Sequence, residues 1–351
     1  MKTTKSLKKM LILLLIVTGL SPLGAQEATK TVKKEFKVKE NATLTVDNRF
    51  GKIHCNVWEN NIINIEVTIK ATAATTREAE RMIENINIGI SGNETAVKAV
   101  TDIKGKISEG KNSSISIDYT ISMPASLNLN LTNKFGDIYL DRNSGASLIN
   151  VDYGNLQVNT LTGADHKIVL KFSKGNLGSA ENLEIDLSYS ELFAGEIQNL
   201  IIDSKFSTFE VDKAGSISQN SQYDTNRLGR TKAITSNSKF STITVGSISE
   251  MLNIDSKYGS FTVRKIEPGF REIHITNSFG NIELLFEPET SFILEAESNF
   301  GQVTVPRKSN VLIEEVSYTG KSYKGRIGKD DKPRSTVTIS TRNGDVNLKM
   351  R

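Results

Sequence analysis

Apolar and polar residues alternate along most of this chain, and the alternation slips by one residue at regular intervals. Each slip falls at an aromatic residue. Phe135, Tyr153, Phe172, Tyr189, Phe206, Tyr223, Phe240, Tyr258, Phe279 and Phe300 recur every 17–21 residues. With the aromatic as position zero, position −6 is apolar in repeat after repeat: Leu129, Leu183, Leu200, Ile217, Ile234, Leu252, Ile273, Leu294. Positions −6, −4 and −2 share a strand face with the aromatic, because side chains alternate along a β-strand. Beyond it the apolar positions become +3 and +5, as in Ile138 and Leu140, Phe209 and Val211, and Ile282 and Leu284. A one-residue slip would turn a continuous strand inside out. The chain is therefore expected to bend at +1/+2, where Gly136, Gly154, Gly259, Gly280, Gly301 and Gly344 supply permissive backbone.

A fixed period near twenty residues is the mark of a stacked solenoid. Each rung reads as a strand, a tight corner, a second strand and a return of variable length. The sequence thus predicts an all-β fold, a parallel β-helix or β-solenoid of about 12 rungs. A β-sandwich with strands at even spacing is the competing reading, but hairpins have no reason to keep one phase slip after one aromatic. Position −2 faces inward yet is polar: Asn48, Asn133, Ser204, Ser221, Ser238, Ser256, Asn277, Ser298 and Thr341. Hydrogen bonds to the corner backbone or to the next rung would remove the cost of burying them, so they read as an internal ladder.

The first rung lies within residues 26–58, where Val46–Val57 carries the repeated phrase around Phe50. Residues 59–127 break the beat and read as a small α+β insert or N-terminal cap. Strands are expected near Ile62–Lys70, Asn87–Ile90, Ala96–Ile103 and Ser114–Ser122. A helix is expected near Thr76–Ile86, capped by Thr75 with Glu78 three residues on. The solenoid proper then fills residues 128–351. Its last part is expected to be a long exposed loop over 317–333 and a final rung at 335–351, with Asn343 in the aromatic slot.

Residues 1–25 read as a signal peptide: Lys2, Lys5, Lys8 and Lys9, an apolar core from Met10 to Leu20, and small residues before a cut after Ala25. No later segment is apolar over a membrane-spanning length, so the mature chain has no expected transmembrane segment. Export to the periplasm, the outer-membrane surface or the extracellular space follows. The full chain has 44 basic and 40 acidic residues; the signal holds four lysines and no acid, leaving 40 against 40. The basic excess belongs to the export signal, and nucleic-acid binding is not indicated. Cys55, the single cysteine, sits at +5 and reads as a buried structural thiol.

No chemistry stands out. His54, His166 and His274 lie in unrelated rungs, and no phosphate-cradling or nucleophile motif is present. The expectation is no catalytic, cofactor-binding or metal-binding residue. Asp186, Asp203 and Asp255 at −3, beside Lys171, Lys205, Lys239 and Lys257 at −1, would suit a polysaccharide lyase. Charges that solvate a stacked face and offset one another are the preferred reading, because exposed pairs of this kind are common and worth little. Thr208, Thr225, Thr242 and Ser260 at +2 form a hydroxyl column at the strand spacing. Together with Lys205, Lys239 and Lys257 they are the candidate polymer-contact surface, though the β-propensity of threonine accounts for them too.

The phrase Leu/Ile-x-Val/Ile-x-Asn/Ser-x-Phe/Tyr-Gly-x-Ile/Val-x-Val is carried best by Val46–Val57, Leu131–Leu140, Ile254–Val263, Ile275–Leu284 and Ile339–Leu348. It resembles a family of candidate adhesins of the bacterial envelope, secreted β-solenoid domains related to the adhesin head domains of Bacteroidetes-type bacteria. The resemblance covers most of the mature chain and brings no catalytic residues. It departs at Ser173, Ser190, Ser207 and Ser241, which replace the corner glycine. It implies a secreted, non-enzymatic cell-envelope scaffold that contacts a surface glycan or envelope protein. A polysaccharide-active β-helix enzyme, or an envelope structural or stress-associated protein without a ligand, are the alternatives.

Overall fold

The structure, a computed structural model, describes residues 25–105, 113–163, 165–306 and 309–351. The expected signal peptide falls on residues 1–25 and so lies, apart from Ala25, outside the described residues. Two compact units divide between Gln157 and Val158. Both are built from rungs stacked in parallel, as the repeat predicts.

In the first unit the strands Thr43–Arg49 and Ile53–Val57 make the rung around Phe50. It stacks in register on Asn128–Lys134 and Ile138–Asn143, with Leu44 beside Leu129 and Ile53 beside Ile138. Its other edge is covered by residues that interrupt the beat. Ala96–Ile103 runs parallel to Thr43–Arg49, and Ser114–Met123 parallel to Ile53–Val57. Ile62–Ala73 then adds antiparallel to Ser114–Met123, and Gln26–Lys37 antiparallel to Ile62–Ala73. That outermost strand carries Lys30, Lys33, Lys34 and Lys37, the charge that keeps an open edge from recruiting another chain. The helix Thr76–Glu84 is capped by the Thr75 hydroxyl, which accepts from the Glu78 N–H at 3.3 Å, and it buries Ala79 and Ile83.

In the second unit Lys174–Ser188, Glu191–Lys205, Thr208–Gln222, Thr225–Lys239 and Thr242–Lys257 lie parallel, each in register with the next apart from a one-residue shift between Thr231 and Ala233 in the last pair. The columns at −6, +3 and +5 are buried from rung to rung; Leu200, Ile217, Ile234 and Leu252 are one such line, and Val211, Leu228, Val245 and Val263 another. A further inward column follows the second bend of each rung: Ala180, Ile197, Ala214, Thr231, Ile248 and Ile266. Where the repeat lengthens, bulk replaces this column, and the rings of Phe270, Phe286 and Phe292 pack together with Phe286 and Phe292 4.4 Å apart.

Two expectations are corrected at the far end. Residues 335–351 form a rung, but it is not the last in the stack. Ser335–Arg342 pairs with Glu272–Ser278 on one side and Phe292–Asn299 on the other, so it lies between rungs made of earlier sequence. Val346–Met350 is held likewise between Ile282–Phe286 and Val303–Thr304. The stretch 317–333, expected as an exposed loop, contains the strand Gly320–Ile327. It pairs antiparallel with Phe292–Asn299 and with Ser309–Val316, covering what would be an open parallel edge. Only Tyr323 and Ile327 of this strand are buried, with the half-buried Gly325 between them, so no run of alternating apolar residues marks it in the sequence.

Candidate functional site

The aromatic residues do not share the inward face of the strand that precedes them. From Phe135 to Phe300 they are 46–58 % exposed, and Phe50 is half-buried. Phe50, Phe135, Tyr153, Phe172, Tyr189, Phe206, Tyr223, Phe240, Tyr258, Phe279 and Phe300 all have φ between +50° and +60°, as does Asn343 in the same slot. A single left-handed residue turns the chain so that the aromatic points outward and the next residue points in. That residue, not a permissive glycine at +1, produces the phase slip. For a bulky side chain this conformation costs roughly 1–2 kcal/mol, so it persists only where the surroundings hold it.

Stacking holds it from outside. In the second unit the rings of Phe172, Tyr189, Phe206, Tyr223, Phe240, Tyr258 and Phe279 form one column, centroids 4.7–5.0 Å apart and planes within 2–7° of parallel. In the first, Phe50, Phe135 and Tyr153 stack at 5.3 and 5.2 Å. Each contact is worth about 0.5–1.5 kcal/mol beyond its buried area, comparable to the backbone cost.

Backbone approach and a polar column hold it from inside. Position +1 faces inward against its counterpart one rung away, and a Cβ on Gly280 would fall 1.7 Å from the Gly259 carbonyl oxygen. Glycine is required there for space. Where serine stands instead, the hydroxyl bridges rungs. Ser190 Oγ accepts the Ser173 N–H at 3.1 Å and donates to the Ser188 carbonyl at 2.8 Å; Ser207 does the same for Ser190 and Lys205. Asp224 occupies the same column beneath Tyr223. Its buried carboxylate accepts from Ser204 and Ser221 hydroxyls at 2.7 Å and from the Ser207 and Gln222 N–H groups at 2.7 and 2.9 Å. The −2 ladder completes the corner: Asn133 Nδ2 donates to the Gly51 and Asp137 carbonyls, Asn277 Nδ2 to that of Gly280, and Ser298 Oγ to that of Gly344.

The residues expected at a contact surface flank the ring column. Thr208, Thr225, Thr242 and Ser260 are laterally paired across successive strands on its +2 side. Lys205 pairs with Gln222, Gln222 with Lys239, and Lys239 with Lys257 on its −1 side. All three lysines are exposed. The sequence reading identified both columns and missed the rings between them. The alternation of Phe and Tyr from Phe135 to Phe279 was the available signal, since a phenol hydroxyl recurring at one slot needs an outlet to solvent or a partner.

Ionisable groups elsewhere do not converge. Lys167 pairs with Glu184 at 2.6 Å and Asp186 at 3.0 Å, and Lys213 pairs with Glu196 at 2.6 Å. An open groove of about 600 Å³ places Lys213, Arg230 and Lys232 beside Glu196, Glu250 and Glu267, so its charges offset one another. Burial pushes the Cys55 thiol up to about 12, the state of an inert core residue. Burial also lowers the pKa of His166, which hydrogen-bonds the Thr162 carbonyl at 3.2 Å. Among the described residues no three His, Cys, Asp or Glu side chains are grouped to hold a metal ion, and no helix is long and apolar enough to cross a membrane.

Residues 26–349 match the family described as Toastrack DUF4097. Comparison with curated proteins finds no match. Among solved structures, a candidate adhesin from Bacteroides fragilis is 15% identical, with 73% of this chain and 97% of that one covered and a TM-score of 0.35. A candidate cell adhesion protein from Clostridium sporogenes is 13% identical, covering 93% and 100%, TM-score 0.18. A candidate lipid-binding protein from Parabacteroides distasonis is 12% identical, covering 91% and 96%, TM-score 0.26.

Proposed function

The chain belongs to the Toastrack DUF4097 family, and from that membership we propose that it is an exported, non-catalytic scaffold of the cell envelope that binds a repetitive surface polymer, as an adhesin would. The observation that carries this reading is the exposed ring column with its lysine and threonine flanks. Seven rungs repeat an outward ring at one strand spacing, about 4.8 Å, and the threonine and serine flank repeats over four of them. Such a surface matches a ligand that also repeats. Function added to a solenoid belongs on its side chains and loops, because the fold itself only spaces them. Export rests on the lysine-rich, apolar and small-residue pattern of residues 1–25.

The test is a glycan array and a pull-down from envelope fractions with protein beginning at Gln26, beside a variant carrying Thr208→Glu, Thr225→Glu and Thr242→Glu, whose bulk blocks a neutral polymer and whose charge also repels an acidic one. Ligand retained by the wild type and lost by the variant, at unchanged melting temperature, supports the reading. Turnover of a polysaccharide, abolished by Asp203→Asn or Lys205→Met alone, would replace it with an enzyme.

A further inference from the structure

We infer that the corner of the second unit takes a linear acidic polysaccharide carrying one charge per disaccharide, laid along the ring column. The inference rests on the binding-scaffold reading and names its ligand class. Sugars usually meet aromatic side chains across the ring face. Here the faces between Phe172 and Phe279 are covered by neighbouring rings 4.7–5.0 Å away. What reaches solvent is ring edge, the electropositive part of the quadrupole, and the phenol hydroxyls of Tyr189, Tyr223 and Tyr258. Among the described residues those three hydroxyls make no hydrogen bond to protein, and all three side chains are about half exposed.

The flanking charge has the same sign and its own period. Lys171, Lys205 and Lys239 precede Phe172, Phe206 and Phe240, whereas Ser188 and Gln222 precede Tyr189 and Tyr223. Among the described residues Lys171, Lys205, Lys239 and Lys257 have no ion-pair partner. From Phe172 to Phe240 an ammonium stands on every second rung and a phenol donor on the rung between; Lys257, beside Tyr258, adds a charge on the next rung and ends the alternation. Two rungs span roughly 9.6 Å, about the length of one disaccharide in an extended chain. The ligand that satisfies both is an alternating polymer: an acid group at each lysine and a hydroxyl or amide acceptor at each tyrosine. Asp203 and Asp255 lie two residues behind Lys205 and Lys257 on the same strand face. They repel an acidic chain that strays from the corner, which adds a penalty against off-axis binding. On the other side the column is neutral beside Phe206, Tyr223, Phe240 and Tyr258, where Thr208, Thr225, Thr242 and Ser260 stand, and beside Phe172 and Tyr189 it is the ion pair of Lys174 and Glu191 at 2.9 Å.

Three probes test this on the protein beginning at Gln26: hyaluronan oligosaccharides, with one carboxylate per disaccharide; oligogalacturonate, with one per residue; and a neutral β-glucan. The expected result is binding to hyaluronan at least tenfold tighter than to the neutral glucan, weakening as salt rises. Lys171→Gln with Lys205→Gln and Lys239→Gln should cost at least tenfold and flatten the salt dependence. Tyr189→Phe with Tyr223→Phe and Tyr258→Phe should cost several-fold and leave the salt slope unchanged. Melting temperatures of both variants should match the wild type, since the rings and their stacking are retained. Equal affinity for the neutral glucan, indifference to the lysine changes, or no binding of either acidic probe overturns the inference. Preference for oligogalacturonate over hyaluronan overturns the one-charge-per-disaccharide period. In each of those cases the scaffold reading stands if the array yields another ligand that the threonine variant loses, and falls if it yields none.

Discussion

The carboxylate of Asp224 accepts the backbone N–H of Ser207, one rung away, at 2.7 Å. The bond ties two left-handed corners together across the inside of the fold, directly beneath the rings of Phe206 and Tyr223. Three further donors converge on the same carboxylate, and among the described residues no basic side chain pairs with it. A buried charge is tolerable only when hydrogen-bonded in this way.

Replacing Asp224 with alanine strands two buried hydroxyls and two N–H groups. The expected loss is about 3 kcal/mol, read as a lower urea midpoint with unchanged slope. Asp224→Ser, which restores the residue found at Ser207 and Ser241, should recover more than half of it. Equal loss from both would mean that the corner needs charge and not merely an acceptor.

Parity along the second strand gives a sharper contrast. Val211 is 1% exposed in the +5 column, while Thr208 faces outward three residues earlier. Val211→Asp should cost several kcal/mol and Thr208→Asp under about 1 kcal/mol. Thermal melts of similar depression for both would contradict the observed phase.

Space and backbone conformation can be separated at two glycines. Gly280 lacks room, its Cβ position being 1.7 Å from a carbonyl oxygen, whereas Gly269 has φ +83° and nothing within 4 Å. Gly280→Ala should cost about 2–4 kcal/mol because two corners must part. Gly269→Ala should cost about 1 kcal/mol, the strain of a left-handed alanine. Chemical denaturation of the pair decides it, and the reverse order would refute the close-stacking account of the corner.

Two buried acids make the first unit sensitive to alkali. Burial pushes Cys55 from 9.0 to about 12, and burial, opposed by the hydrogen bond between Tyr119 and Thr101 and helped by Asp47 nearby, pushes Tyr119 from 10.0 to about 12. Folded chains keep both protons to about pH 12, while unfolded chains release them near 9 and 10. Above pH 9 the unfolded state therefore binds fewer protons, and stability falls as pH rises to about 12. Urea midpoints between pH 8 and 11 should decline, less steeply in Cys55→Ala. Identical slopes would show that the thiol does not contribute.

The rungs, their inward columns and the capped helix were legible because burial repeats with the chain's own period. Leu200, Ile217 and Ile234 announce one line, Phe209 and Val211 the slip after it. The outward rings were not legible. Counting parity treats every residue as extended, and one left-handed residue such as Phe206 reverses the count without changing composition. Bulk and apolarity read as core whether a ring is packed inside or stacked at a corner. Asp224 was hidden for a related reason: one acid in a column of serines looks like surface until its four donors are placed. The position of residues 335–351 was illegible in principle, since Val337 and Ile339 match the register of either neighbour equally well.

That position sets the order in which the second unit can be completed during synthesis. Parallel rungs from Lys174 to Phe286 can be added one upon another as each leaves the ribosome. Phe292–Asn299 emerges next and finds no partner for one edge until Ser335–Arg342 arrives some forty residues later. Through that interval the edges of Glu272–Ser278 and Phe292–Asn299 both wait for the same strand. The antiparallel pair Ser309–Val316 and Gly320–Ile327 is synthesised within this interval and covers one side of the waiting strand. Growth by zippering therefore gives way at this end to a closing step, and its delay is governed by how long the chain takes to deliver residues 335–350.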